Sequence, residues 1–476
     1  MSPPAPAATL PGLLLVRAAE RPRDVALRKK DLGRWKQYSW EEYARRTEAV
    51  ALGLLGLGVE RDDRVAVQSG NRPAWVFTDL AVQSIGAVSA GVDPDGSVAD
   101  LADALERSAA VVLVAEDEEQ LDKALEVQAR LPALRRIVVV DPRGVRQLDD
   151  PAIMTFAELE ELGRRKLDDG SDQRWRDGVA ALDPSHAAAL VHTPRGRTAV
   201  FSHANLVAAG ASFQEALGLR ADDEMLSYLP LSHVAERVAA IATALVACYA
   251  VNFGEGAAEF ARDVCEVQPT YFVATPQVWE QMMTTAAVRM EDATLTKRGI
   301  YRYWLARGGA LAPRRMAGRL RPGDRVVDAL GWLLLYRTLR AKLGLARARA
   351  VVSRGAPIAS PVLEYFWAIG VPVRESYGVT ESTSAGTVSP VPGTRAGTAG
   401  KAMPGVELRV AGDSEVLVRG PTVFLGYDEG PSGTVAAIDG GGWLHTGDLG
   451  ALDGDGYLAV VGRKEDHSLV EELYRS

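Results

Sequence analysis

Arg374-Glu375-Ser376-Tyr377-Gly378-Val379-Thr380-Glu381-Ser382 is the stretch from which the fold of this chain is best read, with the strand-like Val371-Pro372-Val373 just before it. A strand ending in an aromatic residue, a glycine and then Thr-Glu suits a nucleotide held at the carboxyl edge of a parallel sheet. The Tyr377 ring can stack on a base, and Gly378 allows close backbone approach. The Thr380 hydroxyl and Glu381 carboxylate can hold Mg²⁺ and a phosphate oxygen. Alone, the segment fits a polar surface turn equally well, so its meaning depends on its surroundings.

Toward the C-terminus, Trp443-Leu444-His445-Thr446-Gly447-Asp448-Leu449-Gly450 is followed by Val461-Gly462-Arg463-Lys464-Glu465-Asp466. Asp448 and Arg463 stand fifteen residues apart around a Gly-rich hairpin, a spacing that can put a carboxylate beside a guanidinium on adjacent strand ends. A carboxylate accepts both hydroxyls of a ribose, and a guanidinium donates to hydroxyl and phosphate together. Residues 406–410 and 415–419 alternate apolar and polar, as half-exposed antiparallel strands do.

Toward the N-terminus, Val351-Val352, Tyr271-Phe272-Val273 and Val191 mark a region of alternating strands and helices. Further upstream, Tyr43, Thr47, Val50, Ala51 and Leu54 fall on one face of a helix that Gly56 and Gly58 end. Val111-Val112-Leu113-Val114 and Ile137-Val138-Val139-Val140 flank the amphipathic segment 116–130. Runs so apolar imply strands buried on both faces, as in a parallel sheet covered by helices. The expected fold class is α/β, with two doubly wound α/β subdomains plus a small β-barrel-like subdomain. The expected boundaries are 1–183, 184–390 and 391–462, with 463–476 a hinge stub.

The 476 residues, 47% hydrophobic and 24% charged, argue against disorder, collagen or a coiled coil. A net charge of −8 gives no reason to expect nucleic acid as a partner. Cys248 and Cys265 are too few for a disulfide framework; both sit among apolar residues and are expected as buried thiols in a reducing cytoplasm. The near-apolar stretch 238–253 is shorter than the ~20 residues of a membrane-spanning helix, and reads as a buried helix running into a strand. With no signal-like N-terminus, the expected location is cytoplasmic, at most peripheral to a membrane. One region departs from the acidic average: 297–349 holds fourteen Lys/Arg and two acidic residues, a local +12. It reads either as a solvated helical hairpin with basic outer faces, or as a surface attracting anionic lipid or the phosphates of coenzyme A.

Taken in order, these segments resemble the adenylate-forming superfamily of acyl-CoA synthetases, most of all the long-chain, bubblegum-type fatty acid–CoA ligases. The likeness extends through Leu57-Gly58-Val59, Asn71-Arg72-Pro73-Ala74-Trp75, Tyr228-Leu229-Pro230-Leu231-Ser232-His233-Val234-Ala235-Glu236-Arg237, Thr275-Pro276-Gln277-Val278-Trp279-Glu280 and Arg354-Gly355-Ala356-Pro357. It implies that a fatty carboxylate attacks the α-phosphorus of Mg·ATP, giving acyl-adenylate and pyrophosphate, and that coenzyme A then displaces AMP. It further implies that Gly355, Ala356, Pro357, Tyr377 and Gly378 border the adenine and that Thr380 touches the α-phosphate. Glu381 would hold Mg²⁺, Asp448 and Arg463 the ribose, and His233 would lie beside the reacting carboxylate.

Two departures qualify that expectation. The family grips the β- and γ-phosphates with a loop rich in Thr, Ser and Gly that ends in Pro-Lys-Gly. Here His192-Thr193-Pro194-Arg195-Gly196-Arg197-Thr198 is shorter and lacks the lysine. Glycine lets such a loop wrap its N–H groups around phosphate; Thr193, Arg195, Arg197 and Thr198 offer substitute contacts, or the segment is a plain surface turn. Family members also continue past Gly-Arg-x-x-Asp into a C-terminal lid domain, which is expected to be absent from this chain. Three readings follow: a ligase that is impaired or takes its lid from a separate polypeptide, an inactive pseudoenzyme binding acyl-adenylate, AMP or acyl chains, or a pocket repurposed for other acyl chemistry.

Overall fold

The computed structural model describes residues 8–145, 149–167, 171–193, 196–428 and 437–465. The chain divides into two compact units. One comprises Met1–Ala211, Ser227–Ala257 and Pro421–Ala437, the other Ser212–Leu226, Ala258–Gly420 and Ile438–Ser476.

The first unit is built on an eight-stranded sheet. Its order is Gly426–Tyr427, Thr198–Ser202, Ala187–His192, Val88–Val92, Arg64–Gln68, Val112–Ala115, Arg136–Val139 and Ile153–Thr155. From Ala187–His192 to Ile153–Thr155 every neighbour is parallel. The apolar runs near 112 and 137 are interior strands, and all four residues of Val112–Ala115 are buried. Helices Val98–Ser108 and Glu118–Gln128 bury Leu101, Leu105, Leu121 and Ala124 in the adjoining core. Ser97 and Asp100 start the first of these with a reciprocal capping box. The helix Trp40–Gly56 buries Tyr43, Thr47, Val50, Ala51 and Leu54, the face its spacing marked. It packs against Phe156–Leu167 so closely that a Cβ on Gly163 would lie 1.8 Å from the Ala49 carbonyl oxygen. Only glycine fits there. The stretch 238–253 is buried, as helix that includes a π-helical turn at Val238–Thr243 and then the strand Ala250–Phe253.

In the second unit, Glu224–Ser227, Tyr271–Ala274, Ala350–Arg354 and Val373–Tyr377 are successive parallel strands. Thr387–Val388 and Lys401–Ala402 extend them antiparallel. Edge-to-face contacts link Phe272, Trp279 and Phe366 beneath this sheet. A separate antiparallel sheet runs Glu407–Val410, Glu415–Arg419, Leu444–Leu452, Leu458–Arg463.

Several details correct the sequence reading. The strand begins at Val373, because the Val371 N–H closes the preceding helix onto Phe366 O at 2.8 Å and Pro372 has no N–H to give. Glu415–Arg419 is buried rather than half-exposed from Glu415 to Val418, since it lies between two partner strands and its Glu415 carboxylate is held by His445, Lys464 and the Gly447 N–H. Cys265 is exposed and Cys248 only half-buried, so neither is the buried thiol its apolar neighbours suggested. Among the described residues no helix is long and apolar enough to cross a membrane. The N-terminal 1–7, Pro194, Arg195 and the hinge residues from Asp466 onward lie outside the described residues.

Candidate functional site

The strand Val373–Tyr377 delivers its last side chain to the carboxyl edge of the second unit's parallel sheet. There the Tyr377 hydroxyl donates to Asp448 Oδ2 at 2.8 Å. Arg463 Nε lies 3.2 Å from Asp448 Oδ1. Asp448 and Arg463 are opposed residues of the antiparallel pair Leu444–Leu452 and Leu458–Arg463, so the hairpin itself brings the charges together. Asp448 is buried and Arg463 half exposed. The Asp448 N–H donates to Thr446 Oγ1, and that hydroxyl donates to Val416 O, anchoring the carboxylate to the central strand of the small sheet. Burial, and then the negative charge of Asp448, push the Tyr377 hydroxyl pKa up, so the phenol stays a neutral donor. Each Asp448 oxygen keeps a lone pair beyond its existing partner. Such a carboxylate, flanked by a guanidinium and an aromatic ring, has acceptors left for hydroxyl donors.

Behind Tyr377 the backbone is tightly shaped. Thr380–Ser382 forms a single 3₁₀ turn, followed by Thr383 and Ser384 at φ 50° and 67°. Two consecutive non-glycine residues in the left-handed region cost about 1–3 kcal/mol each and persist only when their surroundings hold them. One holding group is Arg354, whose guanidinium donates to Ser384 O and lies 5.4 Å from the Phe213 ring centroid; the Ser384 N–H also donates to Val379 O at 3.0 Å. Burial lowers the Arg354 pKa to about 10, which still leaves it charged at neutral pH. A Cβ on Gly378 would sit 2.3 Å from Ser384 O, so the close approach requires glycine. Thr380 and Glu381 are half-buried on the turn. Among the described residues no three His, Cys, Asp or Glu side chains cluster as a metal cage. One or two carboxylates suffice for Mg²⁺, which takes its remaining ligands from phosphate and water, and Glu381 would supply one.

Gly355-Ala356-Pro357 follows the neighbouring strand Ala350–Arg354, and Gly355 uses a left-handed φ of 94°. The next residue, Ile358, donates its N–H to Glu375 Oε1 at 3.4 Å, tying this loop to the strand that carries Tyr377. Burial pushes the Glu375 carboxyl up to about 7. Its Oε2 is buried with no hydrogen-bond partner among the described residues.

His233 and Thr193 belong to the first unit, where they line a cleft of about 410 Å³ with His192, Ser232, Asp103 and Arg107. His233 is exposed ahead of the short helix Val234–Arg237. Its segment is latched by Asn71, which donates to Ser227 Oγ at 2.9 Å and Leu229 O at 2.7 Å and accepts from Leu231 N at 3.1 Å. The buried Arg237 pairs with the buried Asp79 beside the Trp75 ring. Glu236 is buried and its carboxyl is pushed up to about 8, chiefly by desolvation. The Thr193 hydroxyl is engaged within its own turn, donating to Arg197 O and accepting from Arg197 N. Thr198 Oγ1 lies 3.1 Å from His192 Nδ1, and the Arg197 guanidinium stacks 3.4 Å from the Tyr427 ring centroid.

The structure thus unites Tyr377, Gly378, Asp448 and Arg463 in one unit and His233 with Thr193 in the other. Sequence reasoning quoted Arg354, Glu375, Glu236 and Asn71 inside recognisable blocks but gave them no part. For Arg354 the available signal was a charged side chain closing the largely apolar strand Ala350–Arg354.

A family model described as "AMP-binding enzyme" matches residues 14–428. The chain is similar to the long-chain-fatty-acid–CoA ligase FadD15 of Mycobacterium bovis, with 33% identity over 442 residues that cover 91% of this chain and 70% of that protein. It is also similar to the long-chain-fatty-acid–CoA ligase ACSBG2 of Xenopus laevis, with 28% identity over 92% of this chain and 60% of that protein. Among solved structures, the N-terminal domain of FACL13 from Mycobacterium tuberculosis superposes with a TM-score of 0.68 at 19% identity, covering 95% of this chain and 99% of that one. Apo MatB from Rhodopseudomonas palustris does so with a TM-score of 0.69 at 21% identity, over 97% and 79% of the two chains. At that identity the superpositions speak to fold alone: the α/β architecture with an added antiparallel sheet. The chain belongs to the AMP-binding enzyme family, with long-chain fatty acid–CoA ligases among its homologues.

Proposed function

We propose that this chain activates a fatty carboxylate by adenylation and passes the acyl group to coenzyme A. One carboxylate oxygen attacks the α-phosphorus of ATP, the bond to the bridging oxygen breaks, and pyrophosphate leaves. The coenzyme A sulfur then attacks the acyl carbon and AMP departs as the leaving group. The observation that carries this reading is Asp448 held between the Tyr377 hydroxyl and Arg463 at the edge of a parallel sheet.

In this reading Tyr377 faces the adenine, bordered by Gly355, Ala356 and Pro357, and Asp448 with Arg463 takes the ribose hydroxyls. Thr380 donates to the α-phosphate. Mg²⁺ held by Glu381 would neutralise charge developing on the phosphate oxygens. His233 sits beside the reacting carboxylate, and Thr193 lies toward the leaving phosphates. Catalysis of this kind is positioning and charge stabilisation, which suits a site whose backbone is held strained by Arg354. Family membership and the names of the homologous ligases support the fatty substrate.

The test is mass-spectrometric detection of acyl-adenylate and acyl-CoA after mixing the chain with ATP, Mg²⁺, coenzyme A and a panel of fatty acids. The reaction is run with and without an added lid domain from a relative. Acyl-adenylate that depends on both ATP and the fatty acid is expected. Neither product from any chain length, with or without the lid, would overturn the proposal.

A further inference from the structure

Among the described residues fifteen large apolar side chains are exposed, and eight of them lie between Leu295 and Leu334. The same region carries the local charge of +12. The pattern is sharpest on the helix Pro322–Gly331, which continues through a π-helical turn at Trp332–Tyr336 into Arg337–Lys342. One face packs inward: Gly331, Tyr336 and Leu339 are buried, and the Tyr336 hydroxyl donates to Trp304 O at 2.8 Å. Yet Val326, Leu330, Trp332, Leu333 and Leu334 are exposed, Leu333 at 62%. The wider turn helps turn three successive apolar side chains outward. A helix apolar on its solvent face as well as its core face leaves that outer face unpartnered in water.

The charges around it are equally specific. Both acidic residues of the segment are already neutralised, Asp324 by Arg314 and Asp328 by Arg315. Arg302, Arg319, Arg325, Arg337 and Lys342 form no ion pair among the described residues. Two exposed aromatic rings each carry an arginine: Arg337 lies 5.7 Å from the Trp332 centroid and Arg307 lies 5.3 Å from that of Tyr303. Aromatic rings beside long cationic side chains suit a water–hydrocarbon boundary, the ring at the headgroup level and the guanidinium snorkelling to phosphate.

We infer that this helix docks on an anionic lipid bilayer, with Trp332, Leu333 and Leu334 entering the acyl boundary and the unpaired cations meeting headgroup phosphates. Charge complementarity selects this occupant. A twofold contact with a second copy would press one +12 surface on another, and a nucleic acid would leave the exposed Val326, Leu330, Leu333 and Leu334 in water. The inference stands apart from the adenylation reading, since none of these residues belongs to that site.

The test is co-sedimentation of the full chain with vesicles of pure phosphatidylcholine, and with vesicles in which a third of the lipid is phosphatidylglycerol. The chain is expected to pellet with the anionic vesicles only. The double variant Leu333→Ser/Leu334→Ser is expected to lose roughly a hundredfold in partitioning, from the apolar surface it no longer buries. Arg325→Glu/Arg337→Glu is expected to lose at least roughly thirtyfold, with weaker salt dependence than the parent. All four positions are exposed, so unchanged thermal melting confirms that the variants fold. Absence of wild-type binding to anionic vesicles overturns the inference, as does binding that both variants retain. A wild-type oligomer that Leu333→Ser/Leu334→Ser disperses also overturns it, in favour of a second copy covering the face.

Discussion

Asp448→Asn tests the nucleotide site without removing its shape. In the parent, Oδ2 accepts from Tyr377 and Oδ1 faces Arg463. The amide keeps one acceptor, which the Tyr377 hydroxyl claims, and turns an NH₂ donor toward the guanidinium, which is also a donor. What the fold loses is therefore one ion pair with a half-exposed arginine, worth at most about 1 kcal/mol. What a ribose loses is larger. One hydroxyl has no acceptor left and the other meets a neutral oxygen in place of a charged one. With charge-assisted hydrogen bonds at about 1.5–3 kcal/mol, the loss comes to about 3 kcal/mol, or roughly 150-fold in Kd for AMP. Calorimetry with AMP reads the affinity, and a melting curve reads the fold. The expected result is a large loss of binding with Tm lowered by no more than about 3 °C. An Asp448→Asn variant that binds AMP as the parent does would refute the ribose assignment. One that unfolds would show that the ion pair is mainly structural.

Asp79→Asn strands the buried Arg237 guanidinium and should destabilise the chain by about 3–5 kcal/mol in urea titration; a change under about 1 kcal/mol would show that the pair is hydrated or dispensable. Gly378→Ala places a methyl against Ser384 O and should lower AMP affinity at least roughly tenfold by calorimetry, whereas retained affinity would mean that the turn can relax. The Glu236 carboxyl, raised from 4.5 to about 8, keeps a proton in the folded chain that the unfolded chain has released across that interval. The folded state then binds more protons, so stability falls as pH rises from 4.5 toward 8 and levels off above. Glu375, raised to about 7, adds a slope of the same sign. Urea titrations of the parent and Glu236→Gln across this range should show a shallower decline in the variant; identical slopes would mean that Glu236 is ionised throughout.

The parts of the fold that rest on short-range pattern were legible. Val112-Leu113-Val114 is a doubly buried strand because unbroken apolar runs of that length have nowhere else to go, and the helix at 40–56 declared its buried face through spacing. The pairing of Asp448 with Arg463 was legible because a hairpin relates them locally. What eluded sequence reasoning is set by distant neighbours. Glu415–Arg419 alternates like an edge strand, yet its side chains meet His445 and Lys464 and become buried. Cys265 has apolar neighbours in sequence but faces outward. Arg354 stands in a recognisable block with no part assigned to it until Ser384 O and Phe213 are found against it. The Thr193 hydroxyl reads as a free phosphate ligand until the turn closes on it through Arg197. At Glu415 and Arg354 a long-range contact reverses the local preference, whereas Thr193 is closed by a residue four positions on.

The most direct measurement is an experimental structure of the chain grown with AMP. The account expects both ribose hydroxyls within hydrogen-bond distance of the Asp448 carboxylate, Arg463 beside them and the adenine against the Tyr377 ring. A nucleotide bound elsewhere, or one whose ribose leaves Asp448 untouched, would contradict it.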